Sequence, residues 1–130
     1  MEEAHPHAGP PPLGEVLVVD DSPVERMLAT AVLRKLGFSV TCAASAEQAL
    51  ARMASHRFAL AICDISLPGM DGLALLAAMR QRPPAPPCIV LSAHDDALHA
   101  DAALRAGASA YLVKPLRLES LRAALGRLFP

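Results

Sequence analysis

Glu15-Val16-Leu17-Val18-Val19-Asp20-Asp21-Ser22-Pro23-Val24-Glu25 is the stretch that decides the fold. An unbroken apolar run ends on two carboxylates, and a helix start follows at once. A strand without polar alternation is what a parallel sheet covered on both faces requires. Ser22 is placed as the helix cap, Pro23 as the first helical residue, and Glu25 as the partner that completes a capping box. Val24, Leu28, Ala31, Val32 and Leu36 read as the buried stripe of this helix, and Gly37 ends it.

Three further apolar runs also stop at a polar residue. Residues 58–63 stop at Asp64, 88–91 at Ser92, and 110–113 at Lys114. Residues 38–42 differ, because Phe38, Val40 and Cys42 alternate with Ser39 and Thr41. That pattern belongs to a half-exposed edge strand. Between the runs lie helical stretches. Ser45-x-x-Gln48 opens one with Ala46, Ala49, Leu50 and Met53 inward. Residues 72–81 follow the Pro68-Gly69 turn and present Leu73, Leu76 and Ala77. Residues 95–106 offer only Leu98 and Leu104 as large anchors. A last helix carries Leu118, Leu121, Leu125 and Leu128. Five βα units with short connections imply an α/β fold, one parallel sheet with helices on both faces. Residues 1–13, rich in proline, read as a flexible tail, and 14–130 as the folded domain.

With 130 residues, 53% hydrophobic and 19% charged, the chain is long and apolar enough for one domain with a real core. A formal net charge of −1 and the lack of a basic block argue against a nucleic-acid surface. No apolar run is long enough to insert in a membrane, and the N-terminus lacks the pattern of a secretory signal. Cys42, Cys63 and Cys88 form no C-x-x-C pair and read as reduced thiols of a cytoplasmic protein. His and Cys never cluster at zinc spacing.

If the apolar runs are neighbouring parallel strands, Asp20, Asp21, Asp64, Ser92 and Lys114 meet at the carboxyl edge of one sheet, where open α/β folds bind ligands. Only the edge strand contributes nothing, which independent turn residues would rarely arrange. Three carboxylates together must be neutralised, and an all-oxygen site suits Mg²⁺. Metal, ammonium and hydroxyl make a receptacle for a phosphoryl group. Asp64, alone at its strand end, is the candidate nucleophile. The pair Asp20-Asp21 is better placed to hold metal.

Val16-Leu17-Val18-Val19-Asp20-Asp21-Ser22, Asp64-Ile65-Ser66-Leu67-Pro68-Gly69-Met70-Asp71-Gly72, Leu91-Ser92-Ala93 and Lys114-Pro115 together resemble the receiver domains of two-component response regulators. The resemblance spans about residues 14–129. It implies a flavodoxin-like (βα)5 fold with strand order 2-1-3-4-5. It implies that Asp64 accepts a phosphoryl group from a sensor histidine kinase or phosphotransfer protein. Mg²⁺ would be held by Asp21, Asp64 and the backbone carbonyl of Ser66, with Asp20 acting largely through water. Lys114 would pair with the phosphoryl oxygens, Ser92 would hydrogen-bond them, and Tyr111 would follow Ser92 inward. Ser66 and His94 occupy positions that tune hydrolysis, and Lys114–Pro115 would be a cis peptide bond.

Such a receiver is a switch that modifies itself, not a turnover enzyme. It would signal to a protein target through the face formed by helix 4, strand 5 and helix 5, which also admits a homodimer. The chain closes with its last helix, so the expectation is a stand-alone regulator of the chemotaxis type. The alternatives are a fragment of a larger regulator or hybrid histidine kinase, a receiver-like fold that never takes phosphate, and a Mg²⁺-dependent phosphohydrolase using an aspartyl-phosphate. A nucleotide or flavin binder would need glycines where Asp20-Asp21-Ser22-Pro23 stands.

Overall fold

The computed structural model describes residues 14–67, 72–93 and 97–129. The tail 1–13, the Pro68-Gly69 turn, residues 94–96 and Pro130 lie outside the described residues. Strands β1 (Glu15–Val19), β2 (Ser39–Ala43), β3 (Leu60–Asp64), β4 (Cys88–Ser92) and β5 (Ala110–Val113) alternate with helices α1 (Pro23–Lys35), α2 (Ala46–Ser55), α3 (Gly72–Arg80), α4 (Ala97–Arg105) and α5 (Leu118–Leu128). The strands form one parallel sheet in the order β2-β1-β3-β4-β5. This is the flavodoxin-like arrangement, with β2 at the edge where its alternation placed it. β3 and β4 are buried along their whole length.

Two apolar layers sandwich the sheet. Leu17, Val19, Ala61, Cys63, Cys88 and Val90 pack with Ala46 and Ala49 of α2, Leu75, Leu76 and Met79 of α3, and Ala103 of α4. Val16, Val18, Leu60, Ile62, Ile89 and Leu91 pack on the other face with Ala29 and Leu33 of α1 and Leu121 and Ala124 of α5.

The helices correct the sequence reading in three places. In α1 the buried residues are Ala29 and Leu33, with Val32 and Leu36 packed beside them. Val24 is 60% exposed, Leu28 is 49% exposed, and Ala31 is exposed as well. In α3 the inward residues are Leu75, Leu76 and Met79, while Ala77 faces solvent. In α4 the two expected anchors point outward, Leu98 at 78% and Leu104 at 49% exposure, and Ala103 alone is buried. The cause is shared. A helix lying close on a sheet puts small side chains at the contact, so Ala29 and Ala103 are buried where larger residues were expected, just as Ala46 and Ala49 are buried in α2 where the sequence placed them.

The cap of α1 is also half of what the pattern suggests. Ser22 Oγ accepts from the Glu25 amide at 3.3 Å, but the Ser22 amide donates to Asp20 Oδ1 at 3.0 Å and not to the Glu25 carboxylate. Ser45 caps α2 through the Gln48 amide as expected. Gly37 and Gly107, which follow α1 and α4, have φ of 100° and 106°, the left-handed turn that favours glycine.

Three substitutions test this packing. Leu33→Ala, at a fully buried site, is expected to cost about 2–5 kcal/mol in urea unfolding. Leu98→Ala is expected to change stability by less than about 0.5 kcal/mol. Comparable losses would contradict the exposed placement of Leu98. At Gly72 an added Cβ would meet the Asp64 carbonyl oxygen and lie 2.6 Å from Ile65 Cα. Gly72→Ala should therefore destabilise by about 1–3 kcal/mol and shift the amide resonances of Asp64, Ile65 and Ser66. A spectrum unchanged at those three residues would refute the close approach.

Candidate functional site

Backbone hydrogen bonds carry the register of the sheet past the strand ends. The Asp20 amide donates to Ala43 O at 3.1 Å, Ile65 N to Leu91 O at 3.0 Å, and Lys114 N to Ser92 O at 2.7 Å. Val19 pairs with Cys63, so Asp20 and Asp64 stand level at the ends of adjacent strands. Asp64 pairs with Leu91 and Ser92 with Val113, so Ser92 and then Lys114 each lie one step further out. Alternation along the strands divides these residues. Asp20, Asp64 and Lys114 continue the rows that face α1 and α5, whereas Ser92 and Tyr111 continue those that face α2, α3 and α4.

Among the described residues, the buried polar or charged side chains are Asp20, Asp64 and Ser92. All three were singled out from the sequence. The two aspartates are held alike. Asp20 Oδ1 accepts from the Ser22 amide at 3.0 Å, and Asp64 Oδ1 from the Ser66 amide at 3.1 Å. Their second oxygens converge on Lys114 Nζ, at 3.2 Å from Asp20 and 3.1 Å from Asp64. Burying carboxylates without a cation would be costly, and Lys114 supplies the compensation. Burial alone would lower the Lys114 pKa. Hydrogen bonds to Glu25 and Asp64, with the charges of Asp64 and Asp20, outweigh it and hold the ammonium well above its ordinary value.

Asp21 is exposed at the mouth of the site. Asp20, Asp21 and Asp64 each offer a carboxylate oxygen, all within 4.8 Å of one another. An all-oxygen acidic donor set of that span fits a hard divalent cation of the Mg²⁺ type. Ser66, exposed, follows Asp64 closely enough for its amide to reach back to it. Tyr111 is half-buried against the α2–α4 layer, and the Lys114–Pro115 peptide bond is cis, as the resemblance implied. His94 lies outside the described residues.

Two residues at the site were not singled out. Glu25 Oε1 lies 2.8 Å from Lys114 Nζ, although the sequence reading gave its side chain to the helix cap. Arg26 Nη1 donates to the Asp20 carbonyl at 2.8 Å. Glu25 is free to reach Lys114 because Asp20 Oδ1 takes the cap amide, a contact that the position of the Asp20 carboxylate in space reveals. Cys63 and Cys88 are buried with their Sγ atoms 3.5 Å apart, and the contact with Cys88, then burial, push the Cys63 thiol up.

The comparisons agree with this geometry. Residues 16–126 match the family model described as the response regulator receiver domain. The chain is 37% identical over 111 residues to the transcriptional regulatory protein ZraR of Escherichia coli K12, covering 85% of this chain and 25% of that protein. It is 35% identical to the probable chemotaxis protein CheY of Rhizobium etli, covering 88% of this chain and 92% of the relative. Among solved structures, the chemotaxis response regulator CheY4 of Vibrio cholerae superposes with a TM-score of 0.80 at 30% identity, covering 88% of this chain and 98% of that one. NtrX of Brucella abortus gives a TM-score of 0.80 at 33% identity over 88% of this chain and 26% of its own. The chain spans about a quarter of ZraR and nearly all of the CheY relatives. A sheet ordered 2-1-3-4-5 with this acidic cluster at its carboxyl edge, matched by the family model over residues 16–126, belongs to the response regulator receiver domains of two-component systems.

Proposed function

We propose that this receiver accepts a phosphoryl group on Asp64 from the phosphohistidine of a sensor histidine kinase or phosphotransfer protein and passes the change to a protein target. The observation that carries the reading is Asp64 itself: buried, 3.1 Å from the Lys114 ammonium, and within ligand distance of Asp20 and Asp21. An Asp64 carboxylate oxygen attacks phosphorus, the P–N bond breaks, and the imidazole nitrogen keeps the electron pair. Lys114 balances charge on the phosphoryl oxygens. Asp20, Asp21, Asp64 and the Ser66 carbonyl would hold Mg²⁺, which when bound offsets the charge of the transferred group.

A phosphoryl group adds close to two negative charges and three acceptor oxygens. Ser92, buried on the α4 side of the sheet, is the hydroxyl that answers it, and Tyr111, on the same side, follows. Ser66 and His94, two positions beyond Asp64 and Ser92 in sequence, tune hydrolysis. The output face is α4-β5-α5, where Leu98, Leu104 and Val113 are exposed. Exposed apolar side chains on these neighbouring elements suit a protein target or a second copy of the chain. Val24, Met27 and Leu28 are exposed on α1, Leu28 in the same groove as Lys114 and Pro115, and apolar side chains there suit a protein donor. No helix among the described residues is long and apolar enough to cross a membrane, and the reading puts the chain in the cytoplasm with its kinase's catalytic part. The quarter-length match to ZraR and NtrX supports a second reading, in which the same switch is one part of a multidomain regulator.

With acetyl phosphate and Mg²⁺, the wild type should gain one phosphoryl group by intact mass, and chelation of the metal or Asp64→Asn should abolish the gain. Equal labelling of Asp64→Asn would overturn the assignment. Tyr111 is the chain's single tyrosine and there is no tryptophan, so intrinsic emission reports that residue alone. Beryllofluoride with Mg²⁺ should change this emission, and Ser92→Ala should remove most of the change. Full retention in Ser92→Ala would break the proposed link.

A further inference from the structure

The Lys114 ammonium has three N–H donors, and three carboxylates stand around it. Its nearest partner is not a residue of the acceptor cluster but Glu25, at 2.8 Å, against 3.1 Å to Asp64 and 3.2 Å to Asp20. Glu25 is available because Asp20 Oδ1 takes the Ser22 amide that a capping glutamate would otherwise accept. The partners also differ in access to water. The Glu25 side chain is 40% exposed, those of Asp20 and Asp64 only 4% and 7%. Lys114 is thus strung between two buried carboxylates and one at the rim.

We propose that Glu25 is a positioning residue that competes with the phosphoryl group for the Lys114 ammonium and so restrains phosphorylation of Asp64. The proposal rests on the receiver reading and goes beyond it. All three donors of Lys114 face a carboxylate in the resting site, so pairing with phosphoryl oxygens requires a partner to be given up. Glu25 is the least costly to release, because water can rehydrate a rim carboxylate but not a buried one. Until released, it draws Lys114 outward and adds a fourth negative charge beside the path of an anionic donor.

The test compares wild type with Glu25→Gln, a change of equal length without the charge. In the metal-free protein, competitive acylation by acetic anhydride is read by peptide mass at Lys114 against Lys35, the chain's other lysine, which is exposed. The Lys114:Lys35 ratio should rise about threefold in Glu25→Gln, the scale of a partly exposed ion pair. With Mg²⁺ and acetyl phosphate, where the acyl phosphate P–O bond breaks and acetate leaves as Asp64 gains phosphorus, initial labelling should also quicken about threefold, with the gap closing as salt rises. An unchanged acylation ratio, or labelling no faster than wild type, would overturn the role of Glu25. Wild type that does not label at all would instead overturn the receiver reading, while the metal-free ratio would still decide whether Glu25 holds Lys114.

Discussion

The architecture turns on one ammonium shared by three carboxylates. Asp20 and Asp64 lie level at the ends of adjacent strands and are almost fully buried, a placement that mutual repulsion and desolvation both oppose. Lys114 stands between them because β5 projects one step beyond β4, and β4 one step beyond β3. The staggered strand ends are therefore what make the buried acids tolerable. In the proposed reading, a phosphoryl group and a divalent cation would bring opposite charges in nearly equal measure, so either alone would unbalance the resting arrangement and both together would restore it.

The sheet also separates two tasks. Alternation sends Asp20, Asp64 and Lys114 toward the α1–α5 side and Ser92 and Tyr111 toward the α2–α4 side. Under the proposed function, the groups that would receive charge and those that would respond to it lie on opposite faces of the same sheet. They meet only at the carboxyl edge, where β4 brings Ser92 next to the row of Asp64. Phosphorylation on one side, as proposed, would then reach the other at this edge and not through the packed centre.

Much of this was legible in the sequence because strands that end on polar residues make a strong, position-specific signal. The meeting of Asp20, Asp21, Asp64 and Lys114 follows from it, the edge position of β2 from its alternation, and the strand order from the family resemblance. The helix faces were less legible. Hydrophobic periodicity weights large side chains, but close packing on a sheet selects small ones, so Val24 and Leu28 were assigned inward while Ala29 does the packing. The same bias hid the anchor of α4, taken to be Leu98 and Leu104. Glu25 escaped notice for another reason. Its spacing from Ser22 fits a capping box, and only the position of the Asp20 carboxylate in space shows that the cap amide is already taken.

The single buried residue of α4 has a mechanical meaning. A leucine seated among neighbours works as a peg, and moving its helix first requires lifting the peg from its hole. Ala103 presents one methyl group, so the surface beneath α4 is closer to a bearing than a socket. A shift of α4 would leave behind the space of one methyl group, where a buried leucine would leave a cavity. The two leucines that face water travel with it as cargo. In the proposed switch, a small push at Ser92 would be spent on rearranging the exposed surface, with little of it consumed in breaking the core.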